Sequence, residues 1–149
     1  MATISERHQN IIPENHPYAR SIQILATAIR ASWGPDTCNE SDRLNWSPEN
    51  PALGQCVVSM LVLLDYLPEA EIVKDDTNNH YWLQDQYGDI DLTREQFPNT
   101  VEFQVSRKRA RSELLEGDRA KAARTPERYN LLRERVQANL EEAGVRFSL

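Results

Sequence analysis

The sequence predicts an α+β fold in which one buried helix packs on a small antiparallel sheet, with further helices flanking it. Three observations predict it. The run from Val57 to Leu67 is apolar on nearly every side, broken only by Ser59 and Asp65, and such a helix belongs inside a core. Residues 71–93 carry short alternating segments separated by polar turns, the pattern of paired strands. Residues 17–33 and 125–143 each carry one apolar stripe at helical spacing. A chain of 149 residues suits one core. The expected organisation is an N-terminal arm over 1–17 and one α+β domain over 18–149. Within it, 18–105 form the core, 106–124 a charged connector and 125–143 the last helix.

Taken in order, residues 1–14 read as a loose polar arm. Pro17 opens the first helix, where a missing N–H costs nothing. Tyr18, Ile22, Leu25 and Ile29 make its stripe, which is expected to pack on the apolar helix, and Gly34-Pro35 ends it. From Pro35 to Pro51 runs a long loop rich in Asp, Asn, Ser and Pro. Loops of that length in compact domains are usually functional or disordered. This one carries Trp46, either as the wall of a cleft or as a plug in the core. Pro51 and Gly54 mark entry to the apolar helix and Pro68 its stop, so Cys56 falls in the first turn.

Beyond Pro68 the expected strands are 71–74, 80–83, 89–93 and 101–105, with one helical turn over 94–98. Alternation puts His80 and Trp82 on one face of their strand, and Asp91 shares a face of the next with Asp89 and Thr93. An antiparallel pairing can therefore bring His80 and Asp91 to the same side. A short helix is expected around Ser112–Glu116. Thr125, Pro126 and Glu127 open the last helix in the manner of an N-cap, a first-turn proline and a first-turn acid. Its stripe is Tyr129, Leu132, Val136 and Leu140, and Gly144 ends it.

Charge is uneven. Residues 1–100 hold 6 Lys and Arg against 15 Asp and Glu, whereas 101–149 hold 11 against 8. The acidic part argues against nucleic acid as a partner. The basic run Arg107–Arg111 reads first as a solvated face and second as a contact for an anionic partner. Two cysteines, no signal peptide and no apolar run long enough for a bilayer lead to the expectation of a cytoplasmic protein that does not enter a membrane. Phosphate-loop, dinucleotide and serine-nucleophile signatures are absent, so no cofactor is expected. A zinc site from Cys38, Cys56, His80 and a carboxylate lacks any supporting spacing, so no metal is expected either.

Three residues line up for nucleophilic thiol chemistry. A helix N-terminus presents unpaired N–H groups and the positive end of the dipole, an environment that favours the thiolate that attacks carbonyls. Cys56 stands there. Thiol catalysis also needs a base within reach and a group to orient that base, and His80 and Asp91 are the candidates. Cys56 N–H is one candidate oxyanion donor, and the side-chain amide of Gln55 or Asn50 is the other. Trp46 and Trp82 are the candidate aromatic walls of the cleft. Each residue also has an ordinary reading: a core thiol, a satisfied half-buried histidine, an aspartate capping a turn or pairing with Arg94.

Several motifs in fixed order carry a resemblance: Asp36-Thr37-Cys38, Trp46 to Pro51, Gly54-Gln55-Cys56, His80-Tyr81-Trp82 and Asp91 to Pro98. Together they resemble the YunG-like family of small bacterial proteins, over roughly residues 18–105. The resemblance implies kinship and no particular activity. A more remote similarity is to transglutaminase-like proteins of the papain-like superfamily, resting on Gly-x-Cys at a helix start, His-x-Trp on a strand and Asp on the next. It implies Cys56 as nucleophile, His80 as base and Asp91 as orienter. Asn50, six residues before the cysteine, matches the spacing of that superfamily's oxyanion glutamine with a shorter side chain.

The expected function is thiol-dependent acyl transfer on a peptide or protein amide. The alternative is a binding module whose docking surface is the 35–51 loop, Trp46 and the basic run.

Overall fold

A computed structural model describes residues 6–146. The first helix, α1 (Ala19–Ser32), buries Ile22, Leu25 and Ile29 along one stripe. Tyr18, expected to lead that stripe, lies just outside the helix and is exposed. The next helix, α2 (Cys56–Tyr66), buries every residue from Val58 to Leu64. After two short helices, α3 (Arg111–Glu116) and α4 (Asp118–Ala122), the last, α5 (Thr125–Glu142), buries Tyr129, Leu132, Val136 and Leu140. Its N-cap is Arg124 in a left-handed conformation, one residue before the threonine expected there.

These helices share one apolar cluster. The α1 stripe was expected to meet α2, but α1 packs mainly on α5, which also packs on α2. Sequence periodicity shows which face is apolar and is silent on which neighbour covers it. Trp33, which follows α1, ties that end of the helix to α2: its indole N–H donates to Ser59 Oγ at 2.8 Å. Among the described residues no helix is long and apolar enough to cross a membrane.

The sheet is antiparallel with strand order β3-β2-β1-β4. Its strands are β1 (Glu71–Asp75), β2 (His80–Asp85), β3 (Gly88–Ile90) and β4 (Arg107–Arg109). In the hairpin, Asp75 faces His80 and Ile72 faces Leu83. One face of β2 lies against α2.

Residues 101–105 alternate as a strand should, yet they form none. Their backbone is claimed by side chains instead: Asp75 Oδ2 accepts from Gln104 N–H at 3.0 Å, and Asn78 Nδ2 donates to the Glu102 carbonyl. The fourth strand falls on the basic run, read from sequence as a solvated face. It pairs with β1 in the register Ile72 to Arg109 and Lys74 to Arg107. Arg107 bonds Asp76, Lys108 bonds Glu71, Arg109 bonds Glu113 and Arg111 bonds Asp65. The basic tail is thus matched by acids of this chain, although exposed pairs of this kind stabilise little.

Residues 6–16 are not a loose arm. Ile11 bridges Asp91, Arg7 bridges Pro98, and His8 N–H donates to the Phe97 carbonyl. His16 is buried, with Nε2 donating to Asp85 Oδ2 at 2.7 Å. The expectation for residues 1–5 lies outside the described residues.

The approach to α2 is held by a polar knot. The buried Gln55 side chain accepts from the Thr37 hydroxyl at 2.8 Å and donates to the Gly34 carbonyl at 2.9 Å. Asn39 N–H donates to the Gly54 carbonyl, and the Cys38 thiol donates to the Leu53 carbonyl at 3.2 Å. Gly54 has φ +71°, and a Cβ there would lie 2.5 Å from Cys38 Sγ. Both the left-handed backbone and the close sulfur require glycine. Gly54→Ala is expected to destabilise the protein by about 2–3 kcal/mol, read as a lower midpoint in urea. An unchanged midpoint would contradict this account of the turn.

Candidate active site

The site is assembled at the N-terminus of α2. Residues Ala52 to Gln55 turn sharply, and Ser59 N–H makes the first helical bond to the Gln55 carbonyl. The N–H groups of Cys56, Val57 and Val58 therefore precede the helical ladder. Cys56 is half-buried with a free thiol. It opens on a cleft of about 280 Å³, bounded also by Gly54, Gln96, Tyr81 and residues of the C-terminal helices.

His80 begins β2 and is fully buried. Its Nε2 donates to Asp91 Oδ2 at 2.7 Å. Trp82 stacks on the imidazole with ring centres 5.5 Å apart, and Phe97 meets it edge-on at 4.9 Å. The ring is thereby fixed in position and tautomer. Burial by itself would lower the pKa of His80. The hydrogen bond to Asp91, and next the interaction with Cys56, outweigh burial and raise it to about 9. The second ring nitrogen, Nδ1, is buried and lacks a partner of hydrogen-bond geometry. Cys56 is nonetheless among the groups that raise the His80 pKa, so its sulfur lies within electrostatic reach of the imidazole.

Asp91 sits one residue beyond β3, on the bridge to Ile11, and not within the strand expected over 89–93. The register sets Leu83 opposite Ile90, so the strand ends where Asp91 turns to His80. Oδ2 also accepts from Arg94 Nε at 2.9 Å, and Oδ1 accepts from Thr93 N–H at 3.1 Å. Burial would raise the Asp91 pKa, but the His80 bond and charge, then the Arg94 charge, hold it below the ordinary carboxylate value. Asp91 therefore both orients His80 and pairs with Arg94, two roles that the sequence presented as alternatives.

The other expected site residues lie elsewhere. Gln55 is buried, its amide bonded to Gly34 and Thr37, and it does not line the Cys56 cleft. Asn50 closes a tight bridge with Ser47 and does not line the Cys56 cleft. Trp46 is half-buried, donates to the Pro51 carbonyl at 2.9 Å, and is likewise absent from the cleft wall. The 35–51 loop reaches the cleft through Asn39 and Asp42 instead. Trp82 supports His80 from behind and donates to Asp89.

Two contributors were missed. Gln96 lines the cleft, accepts from Gly54 N–H through Oε1 at 3.2 Å, and keeps a buried Nε2 without a partner. Arg128 of α5 lines the same cleft, 5 % exposed and, among the described residues, without a carboxylate partner. The sequence carried one faint signal for Gln96, its place in the Asp91–Pro98 motif, and none for Arg128. Cys38 differs from Cys56: it is fully buried, and burial followed by the nearby Asp42 charge pushes its thiol up to about 11.

Fold and site together define an α+β protein with a Cys-His-Asp constellation at the mouth of a buried helix. The family model of the YunG protein matches residues 21–141, and the chain belongs to that family. No curated protein and no solved structure matches it.

Proposed function

We propose that this protein is a thiol-dependent acyl-transfer enzyme acting on amides, papain-like in plan and working in the cytoplasm. The observation that carries the reading is the buried His80. One of its nitrogens is bound to Asp91, and the other is unpartnered beside Cys56. A histidine with a pKa of about 9 is protonated at neutral pH, so the resting site holds an imidazolium against the sulfur. In the first step the Cys56 thiolate bonds to the carbonyl carbon and the carbonyl π pair moves to oxygen. That oxyanion is met by Cys56 N–H and by Gln96 Nε2. The C–N bond then breaks as the His80 proton passes to the leaving nitrogen, giving a thioester and an amine. In the second step His80 takes a proton from water or from an acceptor amine, which attacks the thioester and releases Cys56.

The test is acylation of the protein by an activated aryl ester, followed by intact mass and by phenolate release. A burst of one equivalent, mapped to Cys56, is the expected result. Acylation spread over lysines with none on Cys56 would overturn the reading.

Gln96 has its own prediction. Gln96→Glu keeps the acceptor for Gly54 N–H and removes the donor. It should lower acylation about 10²-fold, while alkylation by iodoacetamide, which forms no oxyanion, changes far less. Equal losses in both reactions would remove Gln96 from the oxyanion site.

A further inference from the structure

The cleft over Cys56 has a wall whose charge the acyl-transfer steps do not use. Lys74 and Arg109 border it, and each already faces an acid, Asp76 and Glu113 respectively. Arg119 of α4 (Asp118–Ala122) and Arg128 of α5 also border it. Among the described residues neither has a carboxylate partner.

Arg128 is the more telling of the two, because a buried cation is costly unless it is paired. Its Nε donates to the Ala123 carbonyl at 3.1 Å, Nη1 to the Thr37 carbonyl at 3.2 Å and Nη2 to Thr125 Oγ1 at 3.3 Å. All three acceptors are neutral. A guanidinium has five N–H groups in a planar fork, so two remain without an acceptor among the described residues. The nearby acid, Glu40, reaches toward Arg124. Burial lowers the Arg128 pKa, and the Cys38 and Cys56 sulfurs are the first groups to offset that, which sets the guanidinium within electrostatic reach of the reacting sulfur. The cleft's other acid, Asp42, sits beside Gly54 on the loop before α2 and has no ion pair among the described residues.

We infer that Arg128 and Arg119 form a carboxylate-binding subsite of the Cys56 cleft, so that the amide substrate carries a free carboxylate near its scissile bond. The inference rests on the proposed thiol chemistry and adds the substrate's charge to it. A carboxylate is the planar, two-oxygen partner that an arginine fork matches best. Placed there, it would supply the countercharge that Arg128 lacks. It would also dock the substrate by a group that takes no part in the bond that breaks.

Two alkylating reagents of similar size test this without any known substrate. Maleimidopropionate carries a carboxylate and N-ethylmaleimide is neutral. Both are reacted with the Cys38→Ser protein and with a small-molecule thiol, and the rate ratio of charged to neutral reagent is compared. The ratio at Cys56 should exceed that of the free thiol by roughly tenfold. It should fall by about threefold in Arg119→Gln and by about tenfold in Arg128→Gln, and in every case the excess should shrink with added salt.

Arg119 is exposed, so its variant folds even if Arg128→Gln, checked by circular dichroism, does not. Fast labelling by both reagents, with a ratio equal to the free thiol's or indifferent to the arginine variants, overturns the subsite and leaves the thiol chemistry standing. Slow labelling by both reagents near neutral pH overturns the thiol chemistry, and the subsite falls with it.

Discussion

Replacing Cys56 with alanine is expected to abolish acyl transfer and leave the fold almost unchanged. The sulfur is half-buried at the first turn of α2, while the fully buried residues of that helix begin at Val58. Removing it deletes the atom that forms the thioester and little packing, so stability should move by less than about 1 kcal/mol. The ester burst should fall by on the order of 10⁴-fold or more. The same burst in the variant would sink the mechanism. A large drop in melting temperature would show instead that the sulfur is a structural plug.

Asp91 carries the second large effect, and here stability and chemistry move together. Asp91→Ala leaves the His80 imidazole and the Arg94 guanidinium buried without their shared acceptor, a loss of about 3–5 kcal/mol. Asp91→Asn preserves the shape and removes the charge. It should lower the His80 pKa from about 9, visible in the histidine ring resonances through a pH titration. It should also cost less acylation than His80→Ala, because Asp91 only orients the base; the reverse order of losses would contradict that role.

The pair also fixes how stability depends on pH. Asp91 has a lowered pKa in the folded protein, so its contribution is present above the ordinary value of 3.8 and is lost as pH falls through the lower folded value. His80 has a raised pKa, so its contribution is complete below 6.5 and is lost as pH rises toward about 9. Urea midpoints should therefore decline from pH 6.5 to 9 in the native protein and decline less in His80→Gln. Parallel profiles would contradict the linkage.

Much of this arrangement was legible before the structure. Cys56 stood out because Gly54 and Pro68 bracket an apolar run too uniform for a surface helix, which fixes the residue at a helix start. His80 and Asp91 stood out because alternation along their segments lets an antiparallel pairing bring both to the same side. What was not legible depends on contacts between distant segments. Gln96 reaches Gly54 across 42 residues, and Arg128 bonds Thr37 across 91; no local pattern encodes either. The amides of Gln55 and Asn50 were assigned by their closeness in sequence to Cys56, but Gln55 turns inward at the helix cap and Asn50 closes its own loop. The basic run was read as a solvated loop or helix face; it is largely exposed, but as an edge strand, and the acids that match it, Glu71 and Asp76, lie on and beside the strand it joins.

The central claim is that Cys56 and His80 act as a pair. Its most direct test is the rate of iodoacetamide labelling of Cys56 from pH 4 to 9, in the native protein and in His80→Ala, with Cys38 replaced by Ser in both. The account predicts fast labelling with an inflection well below the free-thiol pKa of about 8.5, shifted upward or lost when His80 is removed. Slow labelling in both proteins, rising only near the free-thiol value, would contradict it and mark Cys56 as a structural cysteine.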